Sequence, residues 1–173
     1  AFYRVMILSW EIWCLSRNSQ VAKEAWTYEY GIITPAIQNL ETAVGLDPSN
    51  PFAWQHLSFF MGLIGNTQRQ LQALNAGFAA LDDLENRYQQ ISPEKAEEMH
   101  LMRLRMLLER AWLERDQGFF DMAQGDVDLA ISLMREDSLR THDLARETLL
   151  LQALIMVDQG FVYEAQNMAN EFS

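Results

Sequence analysis

The residues able to do chemistry in this chain are few and scattered. Its three histidines, His56, His100 and His142, each stand apart from any cysteine or second histidine at the spacing a metal site requires. Surface or helix-packing roles are expected for them, and no metal is. Cys14 is the one cysteine. Alone it can form neither an intramolecular disulfide nor a Cys-cluster zinc site, and in its apolar segment an inert buried thiol is expected. The runs LDDLEN and PEKAEE gather carboxylates as an acid–base pair would. On amphipathic helices such runs form the solvated face, and Glu94, Glu97 and Glu98 also suit a helix N-terminus. There is no Gly-rich phosphate loop, no His-Glu-x-x-His, no Gly-x-Ser-x-Gly and no EF-hand ligand series. The expectation is a non-catalytic chain without a cofactor.

The elements that would position these residues follow from composition. The 173 residues suffice for one domain, 1–173, with a sizeable core. Apolar residues make up 49% while Gly (8) and Pro (4) are sparse, which favours helices over strands and turns. Thirteen basic against 24 acidic residues leave a net charge of -11, which repels nucleic-acid phosphates and anionic membrane surfaces. Nucleic acid is therefore not an expected partner. The opening stretch AFYRVMILSWEIWCLSR is apolar, yet Arg4 and Glu11 interrupt it and no Ala-x-Ala site follows. An amphipathic or buried first helix fits better than a signal or a membrane span. No direct membrane insertion is expected, and a single thiol leaves the compartment open, with a soluble chain in the cytoplasm expected ahead of the periplasm.

From Ala22 to Phe172 apolar residues recur three and four apart, and nothing alternates with the period of two that a half-buried strand needs. The fold class is expected to be all-α. Thr34-Pro35 and Ser92-Pro93-Glu94 each place a capping hydroxyl before a first-turn proline, so helices are expected from Pro35 and from Pro93 to about Asp116. Asp47-Pro48-Ser49-Asn50-Pro51 should stop one helix and open the next.

The segment DQGFFDMA at Asp116–Ala123 recurs as DQGFVYEA at Asp158–Ala165, with Gly at the turn and Ala five residues later. GIITPA from Gly31 and, more loosely, GNTQRQ from Gly65 share the frame. Four glycines are thus expected where one helix of a hairpin ends and its partner begins, with a small residue letting the two approach closely.

GIITPAIQNLETAVGLDPSNPFAWQHL resembles the second half of a tetratricopeptide repeat joined to the first helix of the next. Ala36, Leu40, Ala43 and Pro48 hold the small, large, small and helix-ending positions, and Trp54 and Leu57 the Trp-x-x-Leu opening. Ala123, Val127 and Ala130 match in a later unit, and Ala165 and Ala169 in the last, whereas Ser58 and Gln70 replace the family's usual Gly and Ala. The glycine spacings depart from the regular repeat: 34 residues from Gly31 to Gly65, then 53 to Gly118 and 42 to Gly160. The resemblance implies a short, irregular array of stacked helix-turn-helix hairpins at 17–50, 51–84, 93–137 and 139–173. Residues 1–16 would add a packing helix or be the remnant of an earlier repeat.

In tetratricopeptide arrays the first helix of each hairpin lines a concave groove. The resemblance therefore nominates Phe52, Gln55 and Phe59; Arg105, Leu108, Trp112 and Arg115; and Glu147, Leu150 and Leu154, each set falling on one helix face. Core packing is the competing role for Phe59 and Trp112. The Lys/Asn/Arg clamp by which some members hold a chaperone's terminal carboxylate is missing, with Gln55 and Phe59 at the needed positions. A groove of apolar side chains with Arg105 and Arg115 suits a protein or peptide segment, such as an amphipathic helix carrying an acidic residue. The expected function is a scaffold or adaptor, one part of a larger complex. The alternatives are a structural subunit whose faces are all buried by neighbours, or an all-helical enzyme or ligand-binding domain with a closed pocket.

Overall fold

The computed structural model describes residues 30–87, 93–136 and 143–171. Among these, every regular element is a helix: α1 (Tyr30–Leu46), α2 (Pro51–Leu63), α3 (Thr67–Arg87), α4 (Pro93–Asp116), α5 (Phe120–Glu136), α6 (Asp143–Asp158) and α7 (Val162–Glu171). The fold class is all-α. The chain divides into two compact units, Ala1–Gln89 and Gln90–Ser173. The expected packing helix at 1–16, Cys14 and His142 lie outside the described residues.

In the first unit α2 packs on both α1 and α3. The α1–α2 joint forms as its residues dictate. Asp47 Oδ1 accepts from the Ser49 N–H (3.2 Å) and hydroxyl (2.7 Å), Asn50 Oδ1 caps α2 by accepting from the Ala53 N–H (3.2 Å), and Pro51 stands at the first helical position. The Trp54 indole N–H donates to the Pro48 carbonyl (2.8 Å), which pins the linker to α2. Leu40, Leu57 and Phe60 are fully enclosed and share one core cluster with Ala36 and Ala73.

Gly31 is not at a turn. Among the described residues helix α1 runs from Tyr30 through Pro35, so Thr34 is an exposed helical residue rather than a cap. The reason is tertiary. The added turn brings Ile33 into the core, and Pro35, which has no N–H, deprives only the Gly31 carbonyl of its helical donor.

In the second unit consecutive helices pack on one another and α4 also touches α6. Helix α4 is buried on several sides, through Met102, Leu104, Met106, Leu107, Leu108 and Ala111. Ala123, Val127 and Ala130 of α5 and Leu151 and Ile155 of α6 are likewise buried, and both helices pack against α4.

One turn geometry closes three hairpins. Gly65, Gly118 and Gly160 have φ of 71°, 81° and 91°, a left-handed conformation that side chains disfavour. Each glycine N–H donates to the carbonyl three residues back (Gly62, Arg115, Val157; 3.0, 2.9 and 3.0 Å). The following N–H donates five back (Met61, Glu114, Met156; 2.9, 2.8 and 2.7 Å). This pair of bonds is the Schellman motif. The carbonyls of Asn66, Phe119 and Phe161 then accept from Gln70, Ala123 and Ala165 (2.9, 3.0 and 3.1 Å) and start the second helix. Ala123 and Ala165 are buried, as close approach requires. The bulkier Gln70 is accommodated by Gly62 opposite it, where a Cβ would lie 2.7 Å from the Gln70 amide nitrogen.

Candidate partner-binding surface

The nominated side chains of the first unit all sit on α2. Phe52 and Gln55 are half-buried, and the Gln55 carbonyl accepts the hydroxyl of the buried Ser58 (2.7 Å). Phe59 is also half-buried, packs on the α1–α2 core and meets Phe60 edge-on at 5.6 Å. Its ring serves packing at least as much as it offers a surface.

In the second unit Arg105 and Leu150 are exposed, while Trp112, Glu147 and Leu154 are half-buried. Leu108 is only 2% exposed and belongs to the core, whereas Leu150, its counterpart 42 residues on, is 56% exposed. Leu108 shares one stripe of α4 with Trp112 and Arg115. Arg115, two turns further along it, donates through Nε to Asp158 Oδ2 of α6 (2.6 Å), so α6 lies against the Arg115 end of this stripe and Trp112 stays partly open. The same bond corrects the expectation that Arg115 awaits an acidic partner. Its guanidinium is held by Asp158 and lies 5.5 Å from the Trp112 ring centroid. What remains available is Arg105, the open part of Trp112, Leu150 and Leu154.

A second group of charges is buried in the α4–α5 hairpin. Arg110 forms a two-pronged pair with Asp126, Nε to Oδ2 at 2.6 Å and Nη2 to Oδ1 at 2.7 Å. Glu114, one turn on, is 4% exposed, stands 3.9 Å from the Arg110 Nε through Oε1, and its Oε2 has no hydrogen-bond partner. Burial, and then the Asp126 charge, push the Glu114 carboxyl up to about 7, with Arg110 opposing. The bond to Asp126 in turn raises the Arg110 pKa. Enclosed as it is, Glu114 presents no face to a substrate. The repeat carried a signal for this cluster: 42 residues on, Glu114 and Asp126 correspond to Met156 and Met168, so two charges occupy positions that are apolar in the second copy.

The described residues also show an open concavity of about 480 Å³ where the α4–α5 and α6–α7 turns meet, lined by Phe119, Asp121, Met122, Gln159 and Phe161 among others. Sequence reasoning saw these turns and missed the surface, because it treated their aromatics as part of the repeat frame. Among the described residues no group of three or more His, Cys, Asp or Glu side chains is placed to hold a metal ion. No described helix is long and apolar enough to cross a membrane. Comparison with family models, with curated proteins and with solved structures returned no match to this chain.

Proposed function

We propose that this chain is a non-catalytic protein-binding module of tetratricopeptide type, a scaffold or adaptor that seats a partner segment on the outward face of its first helices. The observation that carries the reading is the recurrence of one hairpin closure, with a left-handed glycine, a Schellman bond pair and, after Gly118 and Gly160, a buried alanine five residues on. The contact between α4 and α6, first helices of successive hairpins, supports the same arrangement. The seat in the second unit is Arg105, Trp112, Leu150 and Leu154, in which apolar anchors supply affinity and a free guanidinium supplies orientation. An amphipathic helix with an acidic residue fits that chemistry.

The test is affinity purification of the chain with crosslinking and mass spectrometry. Crosslinks from a recovered partner to the exposed residues of α4 and α6 are expected. Crosslinks spread over every helix would favour a structural subunit enclosed by neighbours, and a co-purifying small molecule in a closed pocket would favour a ligand-binding domain.

A further inference from the structure

Two residues at the turn edge of the second unit break a local rule in the same way. The residue after each turn glycine is the N-cap of the next helix, a position that favours Asn, Asp, Ser or Thr because their side chains accept a free N–H. In the first unit it is Asn66, whose Oδ1 accepts from the Arg69 N–H (3.1 Å). In the second unit it is Phe119 and Phe161, residues whose side chains can accept nothing and which remain 53% and 52% exposed. A hydrophobic residue in this turn motif commonly covers the last turn of its helix, which accounts for the buried half of each ring and leaves the open half unexplained. Both rings line the same concavity, beside the exposed Met122.

Carboxylates outnumber cations along this edge. From Asp116 to Met134, and from Glu147 to Ser173, there is no Lys, Arg or His. Asp121 lines the concavity and receives a long bond from the Gln159 amide (3.5 Å), with Asp116 and Glu164 exposed nearby in sequence. Arg115, the cation at the end of α4, is held by Asp158 and Trp112. At each turn one helix C-terminus meets one N-terminus, so their partial charges offset and the carboxylates set the field.

The geometry points to the Phe119–Phe161 concavity as a docking site for a segment that carries an apolar side chain flanked by Lys or Arg. The two rings and Met122 take the apolar group, Asp121 pairs with the cation, and the excess of carboxylates around them steers it in. The inference rests on the protein-binding reading but not on where that reading places its partner, since the α4 and α6 face calls for an acidic segment and this edge for a basic one.

The probe is a fluorescein-labelled amphipathic peptide of leucine and arginine, about twelve residues long, with a twin in which glutamate replaces arginine. Anisotropy titration of the full chain should show binding of the arginine peptide and much weaker binding of its twin. Phe119→Asn/Phe161→Asn should weaken the arginine peptide about tenfold or more without lowering the melting temperature, because asparagine supplies the missing caps. Asp121→Lys, on the exposed first turn of α5, should weaken the arginine peptide and favour the twin. Failure of the wild-type chain to bind the arginine peptide overturns the proposal, as does equal affinity for both peptides. It is equally overturned if the double variant binds as wild type while Leu150→Ser loses binding, which would return the partner to the α4–α6 face and leave the protein-binding reading standing.

Discussion

Replacing Glu114 by Gln should stabilise this protein above neutral pH and remove part of its pH dependence. In the folded chain the Glu114 carboxyl titrates at about 7, against an ordinary value of 4.5. Below about pH 4.5 it is neutral whether folded or unfolded, and burial costs little. As pH rises from there, the unfolded chain releases the proton while the folded chain keeps it. Stability therefore falls across the window from about 4.5 to 7 and levels off once both states are ionised. At about 1.36 kcal/mol per unit, the full loss at pH 8 is about 3 kcal/mol. Glutamine has the same shape and no charge, and its amide can donate towards Asp126. Denaturant titrations of both proteins from pH 5 to 8.5, followed by tryptophan fluorescence, measure the difference directly, and titrations of other groups cancel in it. The variant should exceed wild type by less than about 1 kcal/mol at pH 5 and by about 3 kcal/mol at pH 8. A difference that stays flat across that range would refute the buried-carboxylate reasoning. Asp126→Asn is the companion. It removes the repulsion and frees Arg110 for Glu114, so the fall in stability should move to lower pH.

Two further expectations concern the hairpins. Gly118→Ala and Gly160→Ala, at φ of 81° and 91°, should each lower stability by roughly 1–2 kcal/mol. Gly125→Ala, inside α5 with nothing within 4 Å of a new Cβ, should raise it by about 0.5–1 kcal/mol, and chemical denaturation distinguishes the signs. Ala123→Leu and Ala165→Leu overfill buried contacts and should cost roughly 1–3 kcal/mol each. Unchanged denaturation midpoints in both would mean the hairpins pack in another register.

Local chemistry made much of the fold legible. Asn50-Pro51 and the glycines at 65, 118 and 160 specify their caps through φ and short-range hydrogen bonds, so the residues alone identify them. Thr34-Pro35 carries an equally good local signal, yet burial of Ile33 extends α1 past it, and no local rule contains that term. The candidate site was less legible for the same kind of reason. Leu108 and Leu150 share a register and differ only in whether another helix lies over them, which periodicity does not encode. Arg110 and Asp126 stand 16 residues apart on different helices, and only closure of the α4–α5 hairpin brings them into contact beside Glu114. Phe119 and Phe161 fit the repeat frame so well that their failure to cap showed only beside Asn66.

The central claim is that the α4–α6 face seats a partner. It is tested most directly by measuring affinity and stability together in Trp112→Ala and Leu150→Ser, against the partner recovered by crosslinking. If the face is the working surface, binding should weaken by about 2 kcal/mol or more in Trp112→Ala, and clearly in Leu150→Ser, while the denaturation midpoints barely move. Wild-type affinity in both folded variants would contradict the claim. So would a loss of roughly 3–5 kcal/mol of stability in Trp112→Ala, since that would make the ring part of the core rather than of the surface.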